Sequence, residues 1–474
     1  MANPDSPKPD LLRELNVWHA LAIVVGTIIG SGIFRVSGEM MKDVGTPSLV
    51  YLVWIVGGLL SFFGALTYAE LGAIKPWAGG EYVYIRDAYG PLPSFLYAWT
   101  WFLVAKPASV ASITTGMVDV LSTFSSLSFL STVCFTLPLG THAMAVSYGQ
   151  LVAVTATILI SALNYIGVKK AGGFQLVLTS LKVLMIFAII IIGFTAASGG
   201  WGNFHTTFLG AKGGMAGFMA ALVAALWAYD GWNDLNMVSS EIKNPERSIP
   251  IALIAGVALV AILYMGMNAA IQYVMPSATI AGARVPASLA TQIAIGAGGA
   301  ALVSAGMALS MLVTLNGTIM SGGRVPFAVA RDGYFFKALA EVHPRFHTPS
   351  LAIVVQAVMS ILLLLGGGKF TDFLELAIFA EWLFYMTAAS TVFVFRVREP
   401  NTHRPFRTWG YPVVPAVFIL GAAVVLFYTF KAKMETSPIG TIVMTAVILG
   451  GIPVYWYFAK NRTTTEGTEE HRGS

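Results

Sequence analysis

The stretch Gly26-Thr-Ile-Ile-Gly-Ser-Gly32 interrupts an apolar segment that otherwise has the length and composition of a helix. Each glycine in a helix interior costs about 1 kcal/mol relative to alanine, so this glycine-rich stretch favours a break. A second candidate break, Trp227-Ala-Tyr-Asp-Gly-Trp232, lies some 200 residues further along the chain. These two interruptions determine how the rest of the sequence is interpreted.

The composition is that of a membrane protein. Of the 474 residues, 56% are hydrophobic and 11% are charged, whereas a soluble domain has about 25% charged residues. Water cannot solvate a surface so poor in charge, so lipid must surround most of the chain. A membrane-spanning helix needs about 20 apolar residues, and twelve such segments fit into this length.

Twelve segments are predicted to span the membrane, and they are numbered one to twelve along the chain. They cover residues 17–41, 47–73, 90–117, 147–166, 172–197, 215–241, 249–274, 295–322, 350–366, 371–396, 411–431 and 438–459. The two interruptions lie in spans one and six, and each opens a block of five spans. Since five is odd, the blocks face opposite sides of the membrane, as in an inverted-repeat transporter.

This layout predicts an all-α polytopic membrane protein with discontinuous helices in spans one and six. Its predicted parts are an N-terminal tail, a first repeat, a second repeat, two added spans and a C-terminal tail, at residues 1–16, 17–197, 215–396, 411–459 and 460–474.

Basic residues predict the orientation. An even number of spans places both termini on one side, and that side has 19 of the 28 lysines and arginines, against 6 on the other. The remaining three lie within spans: Arg35, Lys106 and Lys182. Because cytoplasmic loops are enriched in lysine and arginine, both termini are predicted to be cytoplasmic. The polar N-terminus lacks the pattern of a cleaved signal peptide, so span one is expected to be retained.

The break in span one suits a zwitterion. Unpaired backbone at membrane depth must be buried or line a cavity. Free N–H groups at the start of the second half-helix favour a carboxylate, and free carbonyls favour an ammonium. An amino acid carries both groups on one carbon. The alternative is a helix–helix contact, because Gly26 and Gly30 also fit a small-residue packing pattern.

Three ionisable residues within spans are candidate functional groups. Asp230, in the break of span six, is predicted to attract a cationic side chain, hold the substrate amine or carry a proton; the alternative is that it caps a helix end or pairs with Lys106. Lys182 lies in the middle of span five, where it needs carbonyl or carboxylate partners, unless it extends to an interface. For Lys106, structural pairing and a place along the substrate path remain equally open.

Two further features of the spans point to the same cavity. Glu381, next to Trp382 in span ten, is a candidate cavity-lining carboxylate. Trp227 immediately precedes the second break, from which it is placed to close over a bound substrate.

Other classes of protein have little support in the sequence. The single cysteine, Cys134, excludes a disulfide framework within one chain, and none of the seven histidines has a metal-binding spacing. No nucleophile and base are paired as in an enzyme, and two unequal breaks do not form a repeated channel filter. We therefore expect a transporter that is not an enzyme and has no cofactor and no metal.

Several motifs together resemble the L-type amino acid transporter branch of the amino acid–polyamine–organocation superfamily. This branch comprises the light chains of heteromeric amino acid transporters and their prokaryotic relatives. The motifs are Gly26 to Phe34, Tyr68 to Gly72 with Gly79 to Tyr82, Trp227 to Asn233 with Glu241 to Pro245, Asn316-Gly317 with Arg324, and Arg398 to Pro400 with Arg404-Pro405. The resemblance extends from about Leu12 to the last span.

The resemblance implies a LeuT-type arrangement of five plus five inverted spans with two added helices. It also implies sodium-independent exchange of amino acids by alternating access, with proton-coupled symport as the alternative. The implied substrate-binding residues are Ile28, Gly30, Ser31, Gly32, Trp227, Ala228, Asp230 and Gly231.

Within that set, the resemblance assigns the substrate carboxylate to N–H groups near Ser31 and Gly32. It assigns the amine to the carbonyls of Ile28, Trp227 and Asp230. Lys182 would replace the sodium ion of coupled relatives, and further pocket or gate residues would be Lys106, Asn316, Glu381 and Trp382.

Substrate and partner expectations follow from departures from the family pattern. Asp230 stands where carriers of large neutral amino acids have glycine, so the resemblance implies neutral and, through this carboxylate, cationic L-amino acids. Cys134 lies between spans three and four, where animal members bond to a heavy chain, but its neighbours are apolar. We predict a buried cysteine, no obligatory heavy chain, no nucleic acid partner and a prokaryotic inner-membrane location.

Overall fold

The computed structural model describes residues 10–139, 142–366, 370–436 and 438–470, and most of them are helical. In the first half of the chain the helices are α1 (Val17–Ile28), α2 (Gly32–Val44), α3 (Pro47–Ile74), α4 (Glu81–Tyr89), α5 (Pro91–Thr100), α6 (Lys106–Leu121), α7 (Tyr148–Tyr165), α8 (Val168–Phe194), α9 (Gly214–Ala228) and α10 (Asp234–Met237). In the second half they are α11 (Pro245–Val274), α12 (Ser277–Gly282), α13 (Pro286–Ile295), α14 (Ala297–Gly322), α15 (Arg324–Arg331), α16 (Ser350–Leu365), α17 (Phe370–Arg398), α18 (Val413–Thr436) and α19 (Pro438–Glu470).

Span one is interrupted where its glycines predict a break. Asn16 caps α1 by accepting hydrogen bonds from the backbone of Trp18 and His19. The helix ends at Ile28, because Ile29 leaves the helical region with a ψ of 91°. The chain then continues as α2 from Gly32, so residues 29–31 form the break.

Span six is interrupted at the predicted place, but its second half is short. After α9, Gly231 takes a φ of +104°, a conformation that costs other residues free energy. A Cβ at this position would also lie 3.1 Å from the carbonyl carbon of Thr27. Only the single-turn α10 and a 3-10 turn, Ser239–Glu241, follow.

Span three contains a π-helical turn, Trp101–Ala105, between α5 and α6. The N–H of Lys106 bonds to the carbonyl of Trp101, five residues back, and the following Pro107 has no N–H to donate. Such local π turns are common at functional sites because they turn side chains away from the regular helical face. Here the turn sets the direction of Lys106, whose ammonium lies 4.8 Å from the centre of the Trp101 ring.

A β-hairpin between spans three and four was not predicted. Its antiparallel strands are β1 (Val133–Leu139) and β2 (His142–Ser147). The register shifts between Val133 and Phe135, so Cys134 is the extra residue of a β-bulge. The prediction of a buried cysteine is wrong, since Cys134 is only half-buried: as the extra residue of a bulge, it stands outside the regular pairing of the two strands.

Seven helical segments among the described residues are long and apolar enough to cross a membrane. They are Val17–Val44, Pro47–Ile74, Tyr148–Tyr165, Val168–Phe194, Pro245–Val274, Ala297–Arg331 and Val413–Lys431. Two shorter apolar helices, Gly214–Ala228 and Ser350–Leu365, lie at predicted spans six and nine. The protein is therefore a mostly helical, polytopic membrane protein, with predicted span three divided by its π turn. Some side chains of predicted spans ten and twelve are outside the part that the structure describes.

Buried ion pairs and one backbone bridge connect the ends of these helices. Glu241 and Arg324 form a bidentate pair with Nε–Oε2 and Nη2–Oε1 distances of 2.8 and 2.9 Å, and both side chains are fully buried. Leu15, just before α1, forms a parallel β-bridge with Ile242. Its N–H donates to Glu241 at 2.9 Å, and its carbonyl accepts from Lys243 at 2.7 Å.

Candidate functional site

A cavity of about 100 Å³ lies where the breaks of spans one and six meet α6, α14 and α17. This volume is enough for several water molecules. Polar side chains and backbone from all five regions line the cavity, namely Thr27, Ile28, Gly30, Ser31, Gly32, Lys106, Ser109, Ser112, Ile113, Trp227, Ala228, Asp230, Gly231, Asn233, Asp234, Met311, Thr314, Thr318, Glu381 and Tyr385. All eight residues predicted to bind substrate are in this lining.

The first N–H groups of α2 are at the cavity wall. The capping residue, Ser31, makes no side-chain hydrogen bond to this N-terminus, although the first four N–H groups of a helix have no partner within the helix. Ser31 and Gly32 both line the cavity. Because the N-terminus of a 13-residue helix also carries the positive end of the dipole, the arrangement favours a carboxylate.

Lys182 lies behind the break of span one and not in the cavity wall. Its ammonium donates to the carbonyls of Gly26 at 2.9 Å and Ile29 at 2.5 Å. The side chain is fully buried, so the alternative in which it extends to an interface is wrong. The Ser310 hydroxyl also donates a hydrogen bond to the Ile29 carbonyl, at 2.7 Å. The lysine therefore occupies the position where unpaired carbonyls would otherwise attract a cation.

The two breaks are hydrogen-bonded to each other. The Thr27 hydroxyl donates to the Gly231 carbonyl at 2.8 Å. The Tyr264 hydroxyl lies 2.8 Å from the Ala228 carbonyl and 3.2 Å from that of Ile28. The Ile28 carbonyl, one of the predicted amine ligands, thus already has a protein donor close to it.

Lys106 pairs with Asp234 and not with Asp230. The distance from its Nζ to Asp234 Oδ1 is 2.5 Å, and both side chains are almost fully buried. Asp230 instead accepts a hydrogen bond from the Tyr385 hydroxyl at 2.9 Å. The alternative in which Lys106 neutralises Asp230 directly is therefore wrong, and the Asp230 carboxylate remains at the cavity wall.

Two more carboxylates lie around this group. Glu381 lines the cavity with 5% of its surface exposed, and the Ser109 hydroxyl is 3.5 Å from its Oε1. Glu81 lies behind the wall, where Tyr68, Tyr97 and Asn233 donate hydrogen bonds to it at 2.8, 2.7 and 3.1 Å. The lining contributed by α10, α17 and the break of span six is therefore rich in acidic groups.

The other predicted pocket or gate residues lie outside the cavity lining. Asn316 is buried between helices, where its amide donates to Gln175 at 2.8 Å and accepts from Asn164 at 2.9 Å. Trp382 packs against Tyr385 and Phe418. Trp227, by contrast, is in the wall beside Gly32, where a Cβ would lie 3.6 Å from its ring.

Sequence reasoning missed Asp234, Tyr385, Tyr264 and Glu81. Two of them had a detectable signal, since Asp234 follows Asp230 by four residues and Tyr385 follows Glu381 by four. Residues four apart share a face only where a helix is intact. Asp234 lies beyond the break, so its orientation does not follow from spacing.

Comparisons with known proteins agree with this geometry. Residues 15–452 match the family model described as amino acid permease. The b(0,+)-type amino acid transporter 1 of Rattus norvegicus is 31% identical over 94% of this chain and 88% of its own length. The serine/threonine exchanger SteT of Bacillus subtilis is 29% identical over 96% and 98%. The human cystine/glutamate transporter is 29% identical over 96% and 87%.

The relatives are amino acid transporters and exchangers by name, and the family match covers most of the sequence, from before the first break to the last helix. The resemblance predicted from the motifs is confirmed, and so is the prediction of amino acid transport. The chain belongs to the amino acid permease family.

Proposed function

We propose that this chain is a sodium-independent exchanger of L-amino acids that works by alternating access at the cavity between the two breaks. The observation that carries this proposal is the combination of an uncapped α2 N-terminus with a lysine bound to carbonyls of the same break. The first supplies a site for the substrate carboxylate, and the second supplies a fixed cation.

Sodium independence follows from the position of Lys182. A sodium ion binds where several carbonyl and hydroxyl oxygens converge, and here the Gly26 and Ile29 carbonyls already accept from this ammonium. A second cation in the same place would be repelled. The lysine therefore keeps the break structured throughout the cycle without an ion that has to bind and leave.

The substrate is proposed to bind through its α-carboxylate and α-amine, which all amino acids share. The carboxylate accepts from N–H groups at Ser31 and Gly32. The amine faces the carbonyl side of the second break, at Trp227 and Asp230. The substrate side chain then points toward the acidic wall, where Asp230 favours a cation.

We also propose the LeuT-type arrangement of twelve spans. In support, α3 packs on α11 and the α6 part of span three packs on α14. These pairs join the second spans and the third spans of the two predicted repeats, as an internal two-fold axis requires. Both termini are proposed to be cytoplasmic in a prokaryotic cell membrane, and no heavy chain is proposed to be required.

The remaining candidate is a proton-coupled symporter, because buried carboxylates line the cavity. Trans-stimulation separates the two mechanisms. An exchanger takes up labelled substrate quickly only when the vesicle interior contains amino acid, whereas a symporter accumulates substrate in empty vesicles under an inward proton gradient.

The test is counterflow in proteoliposomes of the purified protein, preloaded with a mixture of amino acids. We expect equal initial rates of labelled uptake in sodium and choline buffers. Lys182→Ala should lose at least tenfold in rate, because the carbonyls of the break lose their cation. Lys170→Ala, which removes an exposed lysine from the same helix, is the matched control and should keep the rate.

Clear stimulation by sodium in the unmutated protein would overturn the proposed role of Lys182. Accumulation in empty vesicles under a proton gradient, at the rate seen with preloaded ones, would replace exchange by symport.

A further inference from the structure

The charges on the cavity wall do not balance. Within the part of the chain that the structure describes, its lysine, arginine and acidic lining residues are one lysine and three carboxylic acids, namely Lys106, Asp230, Asp234 and Glu381. The salt bridge of Lys106 goes to Asp234. Among the described residues, neither Asp230 nor Glu381 has a salt-bridge partner, and each lies next to a hydroxyl donor.

Glu381 lies one layer away from the paired charges. On α17 it precedes Tyr385 by one turn, and on α6 its neighbour Ser109 follows Lys106 by almost one turn. Residues three and four apart share a face of a helix. Tyr385 and Lys106 therefore define an inner layer with Asp230 and Asp234, and Glu381 and Ser109 define the next layer.

The groups that face Glu381 are mostly acidic. The residues that share the cavity lining with it are Lys106 from α6, Asp230 from the break, Asp234 from α10 and the Tyr385 phenol on its own helix. Glu81 from α4 lies behind that lining, where it accepts from Asn233. Lys106 is the one cation among them, and it is held by Asp234. A carboxylate enclosed at membrane depth needs a compensating positive charge or a proton.

We propose that Glu381 is the proton site of the exchange cycle: it carries a proton while a neutral amino acid is bound, and it releases that proton when a cationic side chain takes its place. The proposal rests on the exchange function above. In the step, the O–H bond of the Glu381 carboxylic acid breaks, the proton leaves to water, and the carboxylate pairs with the substrate ammonium or guanidinium. The charge in the cavity is the same before and after.

A proton site at Glu381 determines which ions move during the exchange of a cationic for a neutral amino acid. When internal lysine is exchanged for external leucine, one positive charge leaves on lysine and one proton enters with leucine. The exchange is then electrically silent and acidifies the vesicle interior. Leucine-for-leucine exchange carries the proton both ways and changes neither the potential nor the internal pH.

The experiment uses proteoliposomes of the full chain, loaded with lysine and a pH-sensitive dye, and diluted into labelled leucine. We expect one proton to enter for each leucine, with no signal from a potential-sensitive dye. In Glu381→Gln the ratio of protons to leucine should fall to near zero, and the same exchange should make the interior negative. The ratio is independent of any loss in rate, and vesicles loaded with leucine serve as the control.

The wild-type measurement alone can overturn the proposal. A membrane potential without acidification of the vesicle interior during lysine-for-leucine exchange would do so. Failure of internal lysine to drive leucine uptake, in vesicles where internal leucine does drive it, would also do so. Loss of the proton signal in Asp230→Asn with its retention in Glu381→Gln would move the proton to Asp230. Failure of every amino acid in the counterflow mixture to exchange would instead overturn the proposed function, and this inference with it.

Discussion

At the scale of single residues, two glycines at the first break have different surroundings. A Cβ on Gly32 would lie 3.0 Å from the Ala228 Cβ and 3.1 Å from its Cα, whereas one on Gly30 would have only the Thr314 hydroxyl within 4 Å, at 3.9 Å. Gly32→Ala should therefore separate the two breaks and weaken amino acid binding at least tenfold. Gly30→Ala, also in the wall, should have a much smaller effect.

Binding to the detergent-purified variants, measured by ligand-dependent thermal shift, distinguishes the two glycines, because stabilisation follows the ratio of ligand concentration to Kd. Equal losses in both variants would mean that general flexibility of the break, and not the contact with Ala228, sets the affinity.

Asp230 should determine preference for charge in the substrate. At an effective dielectric of about 20, two unit charges about 4 Å apart interact by about 4 kcal/mol before desolvation. Desolvation removes much of this interaction energy, but a net gain of about 1.4 kcal/mol still gives a tenfold preference. Asp230→Asn, which keeps the shape, should reduce lysine uptake about tenfold more than leucine uptake.

Competition between labelled lysine and unlabelled leucine in the same vesicles is the measurement. If both uptakes fell equally, the Tyr385–Asp230 hydrogen bond would be a structural contact, and the carrier would be one for neutral amino acids.

At the scale of helices and breaks, three glycines located the first interruption, and a charged residue next to Gly231 located the second, because both are local properties of the chain. The partner of Lys106 was not predictable in the same way. Asp230 and Asp234 are four residues apart, and only the course of the chain through Gly231 decides which of them reaches the lysine. The hairpin of β1 and β2 was missed because its mostly apolar sequence does not alternate cleanly between apolar and polar residues.

The pair of Glu241 and Arg324 should be critical for stability. Removing one partner of a buried ion pair leaves an uncompensated charge and costs about 3–5 kcal/mol. Glu241→Gln should therefore lower the unfolding temperature strongly. Glu39→Gln is the matched control: its pair with Lys42 is exposed at 65% and 47% of the two side chains, and such pairs contribute about 0–1 kcal/mol.

Thermal unfolding of the two variants in the same detergent makes the comparison direct. Similar stabilities for both would show that solvent reaches the Glu241 site, in contrast to its full burial here.

At the scale of the whole molecule, Cys134 provides a test of orientation. It is the single cysteine of the chain, it is half-buried on the hairpin, and the proposed orientation puts that hairpin outside the cytoplasm. A membrane-impermeant maleimide should label the wild-type protein in intact cells, and Cys134→Ser should abolish the labelling. In that background, Lys243→Cys, at an exposed position, should react only after permeabilisation.

The opposite pattern of labelling would reverse the proposed topology. The labelling of Cys134 also bears on the predicted number of spans, because the side of the membrane on which the hairpin lies depends on how many spans precede it. Length and hydropathy identify seven of the segments, whereas span three is divided by a π turn and span six by its break. The break of span six lines the cavity, and the π turn of span three directly precedes Lys106, which also lines it.

The bridge between Leu15 and the strand-like residues after span six has a kinetic consequence. If the cytoplasmic end of span six swings away from span one, it must break the two backbone hydrogen bonds at Leu15 or drag the N-terminal tail with it. Two such bonds are worth about 1–3 kcal/mol, which changes the population of a conformer by about 5- to 150-fold. If span six moves in this way, breaking the two bonds would slow the conformational change, although Leu15 lies outside the cavity lining.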